Sequence, residues 1–242
     1  MKQVKPFLVL VIVFTTALGA PQLAKAFTNR FDFSGIDPDH AFMWITVHHL
    51  VQAFIVLIII AIIIRFTSLS FPQFGLQVGD KKRGLRYVKI FSLGFLVYAI
   101  VSIFMVLFLN TFNTFPYPLS FRNIAGQLGF QLLLSGPSEE LIFRAFSMTL
   151  LSLFISVRIL GQRFSVANLI AAFLFVLAHI GITWAPLSFS YDSGQLIYVF
   201  VLGVVYGDCF EKTKSVYYPM LLHSISNVIS VSLMVFASVM IG

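Results

Sequence analysis

The sequence predicts an all-α, polytopic transmembrane helix bundle with about seven spans, and three observations support this class. Of the 242 residues, 59% are apolar and 10% are charged, whereas soluble domains are about 45–50% apolar and about 25% charged. The mean hydropathy is +0.95. The apolar residues form runs near the length of about 20 residues that crosses a bilayer as a helix. This composition excludes a soluble globule, and 28 Phe against 9 acidic residues also excludes a disordered or nucleic-acid-binding tail.

Seven apolar runs are predicted to form one integral membrane domain over residues 1–242. In chain order the runs are 6–20, 41–64, 88–109, 125–151, 169–185, 195–206 and 215–241. The first, within residues 1–26, is either an uncleaved span that ends at Pro21 or a signal-like segment, since lysines precede its apolar part and small residues follow it. The sixth run is short, and Gly203 and Gly207 on it predict close packing against a neighbouring helix.

The basic residues predict the orientation of these spans. With a cytoplasmic N-terminus, twelve of the 16 Lys and Arg residues fall in cytoplasmic segments, three (Lys25, Arg30 and Arg122) fall in outside segments, and Arg144 lies within a span. This bias follows the positive-inside rule. The chain is therefore predicted to be a multi-pass protein of the cell membrane whose N-terminus is cytoplasmic if the first span is retained. The net charge of +7 is then an orientation signal, and no nucleic-acid partner is expected.

Ionisable residues inside the predicted spans mark the candidate site, because a charge at the bilayer centre costs at least about 2.5–3.5 kcal/mol. Glu139 and Glu140 are adjacent in the fourth run, and Arg144 follows them. The i, i+4 spacing predicts an ion pair between Glu140 and Arg144. Glu139 is turned about 100° away and has no partner on its own helix, so its carboxylate suits a general base. Pro137 is expected to break the helix or restart it at Gly136.

Two further spans each carry a polar face. Phe175 and His179 in the fifth run, and His223 and Asn227 in the seventh, are four residues apart and share a helix face. If these faces converge with the fourth run around water, the site holds the groups that hydrolysis requires. The alternative for each group is a structural role, as packing or hydrogen bonding in the bundle core.

Other polar residues of the spans are assigned to structure. His48 and His49 in the second run match no such spacing, so a structural or interfacial role is expected for both. The serines near the acids and in the seventh run have no Lys in any span to activate them, and Ser is common at helix interfaces. Cys209 is the single cysteine and matches no metal-ligand spacing.

The ordered motifs resemble those of the CAAX protease and bacteriocin-processing (CPBP, or Abi) family of intramembrane proteases. Residues 139–144 fit EExxxR, residues 175–179 fit FxxxH, and residues 223–227 fit HxxxN. The resemblance covers residues 125–231, which would form the protease core. It implies a hydrolase, an intramembrane endopeptidase of the glutamate type.

The resemblance also implies roles for the site residues. Glu139 and His179 would activate a water molecule for attack on a peptide carbonyl group. His223 and Asn227 would stabilise the oxyanion. An older interpretation treats residues of this site as zinc ligands, and two His with one Glu can bind Zn²⁺. Zinc is therefore an alternative to the expected site, which has neither metal nor cofactor.

Glu140 and Arg144 would organise the site, and the expected partners are membrane lipids and a membrane peptide or lipidated protein. Family members act on prenylated CAAX tails, bacteriocin leaders or other membrane peptides. His223 lies nearer the cytoplasmic end of its span, which favours substrate access from that side. Two other functions stay open: a non-catalytic bacteriocin-immunity or scaffold protein of the same fold, and an ion-coupled transporter with Glu139 in a proton relay.

Overall fold

The computed structural model describes residues 6–109, 112–184 and 186–241, and these are mostly helical. The α-helices are α1 (Pro6–Thr28), α2 (Met43–Phe66), α3 (Lys81–Leu109), α4 (Phe121–Phe130), α5 (Gly136–Glu140), α6 (Thr149–Ser152), α7 (Val166–Leu177), α8 (Ser193–Thr213) and α9 (Tyr217–Ile241). The helices α1, α2, α3, α8 and α9 are long and apolar enough to cross a membrane. The predicted all-α membrane bundle is therefore confirmed, and the fourth and fifth predicted runs are less regular than expected.

The fourth run is one irregular helical segment, residues 121–152, which consists of α4, the π-helix π1 (Gln131–Ser135), α5, the π-helix π2 (Leu141–Met148) and α6. Pro137 lies in the first turn of α5, where its missing N–H group leaves one helical hydrogen bond unmade. The wider π turn lies directly before α5, as expected where the hydrogen-bond ladder is interrupted. The predicted restart at Gly136 is confirmed.

The fifth predicted run, residues 169–185, was too long. The helix α7 ends at Leu177, and His179 lies in the turn that follows. The chain then forms an antiparallel hairpin of β3 (Gly181–Trp184) and β4 (Leu187–Ser190), while a shorter hairpin, β1 (Arg158–Ile159) with β2 (Phe164–Ser165), precedes α7. The apolar side chains of β3 raised the hydropathy of the run although β-branched residues there favour a strand.

Three helix boundaries also differ from the predicted runs. The sixth run, predicted as short, is the helix α8 of 21 residues, which continues to Thr213. The helix α1 continues through Pro21 to Thr28, because packing against α2 outweighs one lost hydrogen bond. The helix α3 begins at Lys81, so the basic cluster up to Lys89 lies on its first turns rather than in a loop. Long basic side chains can extend away from the apolar part of such a helix.

The loops gather at two opposite ends of the bundle. At the first, called the basic end, the backbone N–H of Asp80 donates to the carbonyl oxygen of Thr213 at 2.8 Å. At the second, called the distal end, Asn123 donates to Asp39 at 2.9 Å. The basic end carries Arg65, Lys81, Lys82, Arg83, Arg86, Lys89, Arg158, Arg163, Lys212 and Lys214. The distal end carries Lys25, Arg30 and Arg122.

Glycines bring the helices around the candidate site close together. A Cβ atom on Gly136 would lie 3.1 Å from the Cβ of His223, so α5 and α9 touch at this position. A Cβ on Gly207 would collide with the side chain of Asn168 on α7, and a Cβ on Gly203 would also meet α7. The close packing predicted from Gly203 and Gly207 is therefore confirmed.

Candidate active site

Glu140 and Arg144 form an ion pair that is completely buried. One guanidinium nitrogen of Arg144 donates to Oε1 of Glu140 at 3.0 Å, and another donates to the carbonyl oxygen of Gly203 at 2.8 Å. The guanidinium also lies over the rings of Phe175 and Tyr206, 4.9 and 5.4 Å from their centroids, which is cation–π geometry. The predicted pairing is confirmed, and it fills the bundle between the site and the basic end.

His223 links the two adjacent glutamates. Its Nδ1 lies 2.9 Å from Oε1 of Glu140. Because the carboxylate of Glu140 is already paired with Arg144 and can only accept, Nδ1 of His223 is the donor. Its Nε2 lies 3.5 Å from Oε2 of Glu139. The bond to Glu140 therefore orients the ring so that Nε2 faces Glu139.

Glu139 occupies a different environment from its neighbour. Its side chain is 18% exposed, whereas that of Glu140 is 0% exposed. One oxygen lies 3.9 Å from Nε2 of His49, and the other lies 3.5 Å from Nε2 of His223. Neither distance is that of a strong charge-assisted hydrogen bond. The carboxylate thus lies between two imidazoles and forms no close ion pair with either of them.

His179 faces the same cavity from the turn after α7. Its Nδ1 lies 2.8 Å from the carbonyl oxygen of Phe175. A carbonyl oxygen only accepts, so Nδ1 carries the proton, and in the neutral ring Nε2 presents a lone pair. The ring packs edge-on against Phe175, with centroids 4.7 Å apart. In the described part of the chain no ion pair between His179 and Glu139 is present, and both side chains line the same cavity.

His49 lines the same cavity, a placement that the sequence analysis did not predict when it assigned His49 a structural or interfacial role. Its Nδ1 contacts Oγ of Ser138 at 2.6 Å and Nε2 of Gln52 at 3.1 Å. Gln52 also donates to Ser138 at 3.1 Å, so two buried polar side chains that are bonded to each other hold the ring. The signal that could have found it is the pair His49 and Gln52, three residues apart on one face of an otherwise apolar helix.

Asn227 lies beside the site, but its donors are occupied. Its Nδ2 donates to Oε1 of Gln131 at 2.9 Å and to Oγ of Ser135 at 3.0 Å. Gln131 and Ser135 belong to π1, and both line the same cavity. The structure therefore brings Asn227 to the expected place and gives it two partners that the motif spacing did not predict.

The site faces a cavity of about 370 Å³. The predicted site residues that line it are Glu139, His179, His223 and Asn227, whereas Glu140 and Arg144 lie beneath it. The cavity extends from Tyr206 to Ile45 and Gln195, which lie within two residues of the distal ends of α2 and α8.

The described residues do not offer a zinc site. Within residues 6–109, 112–184 and 186–241, no group of three or more His, Cys, Asp or Glu side chains is arranged to hold a metal ion. A structural or catalytic zinc ion needs three or four such ligands. The oxygen of Glu140 that faces His223 is bonded to Arg144 instead.

Comparison with known families agrees with the motifs. Residues 121–229 match the sequence model of the family described as Type II CAAX prenyl endopeptidase Rce1-like. This segment contains the three motifs and the six predicted site residues. No curated protein and no solved structure matches the chain. The resemblance to the CAAX protease and bacteriocin-processing family is therefore confirmed over this segment. The chain is a multi-pass membrane protein, and its residues 121–229 are similar to the CAAX prenyl endopeptidases of this family.

Proposed function

We propose that this protein is an intramembrane endopeptidase of the glutamate type that hydrolyses a peptide bond in a membrane-associated peptide. The observation that carries the proposal is the contrast between Glu139, which faces a polar cavity beside His49 and His223, and Glu140, which is buried in an ion pair. The family match supports peptidase activity and a lipidated peptide such as a prenylated CAAX tail as the class of substrate. A leader peptide is the second substrate class that we propose.

In the proposed reaction Glu139 is the general base. Its carboxylate accepts a proton from a water molecule while the water oxygen bonds to the peptide carbonyl carbon. His179, whose Nε2 lone pair is available in the neutral ring, accepts a second hydrogen bond from this water and orients it. The protonated Glu139 then donates its proton to the amide nitrogen as the C–N bond breaks. A general acid–base group of this kind contributes about 10²–10⁴-fold to a rate.

His223 and Asn227 are proposed to stabilise the oxyanion. In the proposed step the ring of His223 is doubly protonated, so that Nδ1–H bonds to Glu140 while Nε2–H, on the side of Glu139, donates to the oxyanion. Asn227 would exchange one of its bonds, to Gln131 or to Ser135, for a bond to the oxyanion. Donors that strengthen as negative charge develops lower the barrier more than they strengthen substrate binding.

Glu140 and Arg144 are proposed to position the reacting groups. The pair fixes His223 through one carboxylate oxygen and fixes α8 through the carbonyl oxygen of Gly203. Neither residue lines the cavity. They are therefore proposed to hold the residues beneath the cavity in place and not to contact the substrate.

The test is a comparison of membrane peptides from cells that carry the natural chain or its Glu139→Gln variant. A substrate should accumulate uncleaved in the variant, and its two fragments should be found only with the natural chain. The matched control is Glu211→Gln, because Glu211 is bonded to Arg158 and Ser165 at the basic end, away from the cavity. Cells with this control should match the natural chain.

Two results would favour the alternatives. A cellular phenotype that persists in Glu139→Gln, with no peptide difference, would favour a bacteriocin-immunity or scaffold function. Solute uptake into proteoliposomes that collapses with the pH gradient and is lost in Glu139→Gln would favour a transporter. Either result would contradict the peptidase proposal.

A further inference from the structure

A second cavity lies at the basic end of the bundle. Its volume is about 630 Å³, compared with about 370 Å³ for the cavity at Glu139, and the two cavities share no lining residue. It lies between the segment that follows α2, the helix α6 with the segment that follows it, and the last turn of α8. No residue that lines it has a part in the proposed reaction, so this cavity requires a separate explanation.

Arg158 lines this second cavity with a guanidinium group that is already fixed. Its Nε donates to the carbonyl oxygen of Gln162 at 2.8 Å. One terminal nitrogen donates to the carbonyl oxygen of Arg163 at 3.2 Å, and the other donates to Oε2 of Glu211 at 3.3 Å. Because a guanidinium has five N–H groups, one remains on each terminal nitrogen. A fixed arginine loses little conformational freedom when it binds a further acceptor, and its planar donors suit the oxygens of a phosphate group.

Lys214 adds a second cation from an unusual backbone position. It is the C-cap of α8 and has a φ of 56°, in the left-handed region where Gly or Asn is favoured. Its ammonium group has no ion pair or hydrogen bond among the residues that the structure describes. Lys212 is the third cation of the lining, and although it is paired with Asp208 at 2.9 Å its side chain is 45% exposed. The lining therefore keeps cationic donors that are available to a ligand.

The lining carries more positive than negative charge. Three cations line the cavity against one carboxylate, that of Glu211. Both oxygens of this carboxylate are engaged, one by Arg158 and the other by Ser165. The basic end as a whole carries ten Lys and Arg residues against Asp80, Asp208 and Glu211 in the described part of the chain. The electrostatic potential around the cavity is therefore positive, which favours an anion.

The position of the cavity along the bundle matches that of lipid headgroups. The helices α2 and α8, which are long and apolar enough to cross a membrane, end at Phe66 and Thr213. Leu69 and Lys214 line the cavity within three residues of these two ends. Helices of this length end at the surface of the bilayer, where the phosphate groups of the lipids lie. Part of the lining is apolar, as contact with the glycerol end of a lipid requires, and consists of Leu69, Pro72, Leu153, Ile155 and Phe210.

We propose that this cavity binds a phosphate group, carried by the headgroup of an anionic phospholipid or by a phosphate compound dissolved in water. Its oxygens accept hydrogen bonds from the two remaining N–H groups of Arg158 and from the ammonium group of Lys214. Basic pockets between helices at the membrane surface bind anionic headgroups through such contacts. Because three segments of the chain form the cavity, the ligand joins them and stabilises the folded protein.

The test is the melting temperature of the purified, delipidated protein in an uncharged detergent at fixed ionic strength. Phosphatidylglycerol is added over a range of concentrations, with phosphatidylcholine of the same acyl chains as the comparison, and inorganic phosphate is compared separately with chloride. Lys214→Asn removes one cation and places there a residue that tolerates the left-handed conformation. Arg158→Lys keeps the charge and removes the planar donors. The matched control is Lys82→Asn, because Lys82 lies on the first turn of α3 at the same end and does not line the cavity.

The expected result is that phosphatidylglycerol raises the melting temperature of the natural chain and of Lys82→Asn with the same midpoint concentration. This midpoint should rise about tenfold in Lys214→Asn, as expected for the loss of one charge-assisted hydrogen bond, and should also rise in Arg158→Lys. A shift with phosphatidylglycerol but not with inorganic phosphate assigns the site to a lipid headgroup. A shift with inorganic phosphate that is weakened in Lys214→Asn assigns it to phosphate in water.

Two results would overturn the proposal. Equal midpoints for Lys214→Asn and Lys82→Asn would show that the ligand responds only to the net charge of the basic end. Equal shifts with the two lipids, together with no effect of inorganic phosphate, would show that the cavity binds no phosphate group. Neither measurement requires turnover, so both results are independent of the proposed peptidase activity.

Discussion

The two adjacent glutamates divide the site into a closed region and an open region. In the closed region, Glu140 and Arg144 have no exposed side-chain surface and share one ion pair. In the open region, Glu139 and His179 face the cavity and keep atoms that make no strong bond. The comparison teaches that one turn of helix can supply a structural ion pair and a reactive carboxylate, provided that their neighbours differ.

The difference has an energetic meaning. Removal of one partner from a buried ion pair leaves an uncompensated charge, which is strongly unfavourable for folding. The folding free energy depends little on Glu139, because its two imidazole neighbours lie at 3.5 and 3.9 Å and form no close ion pair with it. We therefore expect changes in the open region to alter turnover and changes in the closed region to alter stability.

The largest effect is expected in the open region at His179. In His179→Gln, turnover of the identified peptide should fall by at least about 10²-fold, because the imidazole that orients the attacking water is lost. The melting temperature in detergent should change little, since the side chain makes one hydrogen bond, to Phe175. The control is His48→Gln, because His48 stacks on Trp44 and does not line the cavity. If His179→Gln lost its activity because it unfolded, as a large drop in melting temperature would show, the distinction between an open and a closed region would be contradicted.

The next effect is expected in the closed region. Glu140→Gln should lower the free energy of unfolding by about 3–5 kcal/mol, as for other broken buried pairs. Lys212→Met breaks a pair with Asp208 of the same i, i+4 spacing on a more exposed surface, where about 0.3–0.5 kcal/mol is expected. Denaturation of both variants in the same detergent measures the two losses in the free energy of unfolding, which can then be compared. Equal small losses would show that Glu140 has no structural role.

A smaller effect in the open region is expected at His49. His49→Gln should lower turnover by up to about 10²-fold, because the imidazole beside Glu139 is lost while Ser138 and Gln52 stay bonded to each other. The adjacent His48→Gln again serves as the control. The two histidines are neighbours in sequence, but only His49 lines the cavity. A larger effect on turnover at His49 than at His48 would therefore be due to its position in the cavity. Identical activity of both variants would remove His49 from the site.

The smallest effect is expected at Asp37, which lies outside the site at the start of α2. Its carboxylate accepts bonds from the backbone N–H groups of Ala41, Phe42 and Met43. Burial raises the pKa of Asp37, but these three bonds outweigh it, and its pKa is lowered from the usual value. Asp37→Asn should cost about 1 kcal/mol of stability, because hydrogen bonds to an ionised acceptor are stronger than those to a neutral amide.

The sign of the pH dependence follows from the lowered pKa of Asp37. The stabilisation is complete above the unfolded-state pKa, about 3.9, and is lost as the pH falls through the lower folded-state value. Melting temperatures of the natural chain and of Asp37→Asn should therefore differ at pH 7 and converge toward pH 3. A difference that does not change with pH would contradict the role of the ionised carboxylate.

Contacts within one helix could be predicted from the sequence. Glu140 with Arg144 and Phe175 with His179 are four residues apart, and helical geometry alone brings such pairs together. The all-α class followed from run lengths and composition. These predictions needed no knowledge of how the helices pack.

Contacts between helices could not be predicted from the sequence. His49 meets Ser138 across α2 and α5, and no spacing rule relates residues so far apart in the chain. The bonds of Asn227 to Gln131 and Ser135 depend on the π turn, which has no apolar period of its own. The end of the fifth run was missed because an apolar strand raises hydropathy as much as an apolar helix does.

The most direct test of the account is cleavage by purified Glu139→Gln of the peptide identified by the membrane comparison, with unfolding measured on the same sample. Turnover should fall by at least about 10²-fold while the melting temperature stays that of the natural chain, because Glu139 supplies a general base and little packing. The same change at Glu211 should leave both quantities unaltered. Full cleavage by Glu139→Gln would contradict the claim that this carboxylate activates the attacking water.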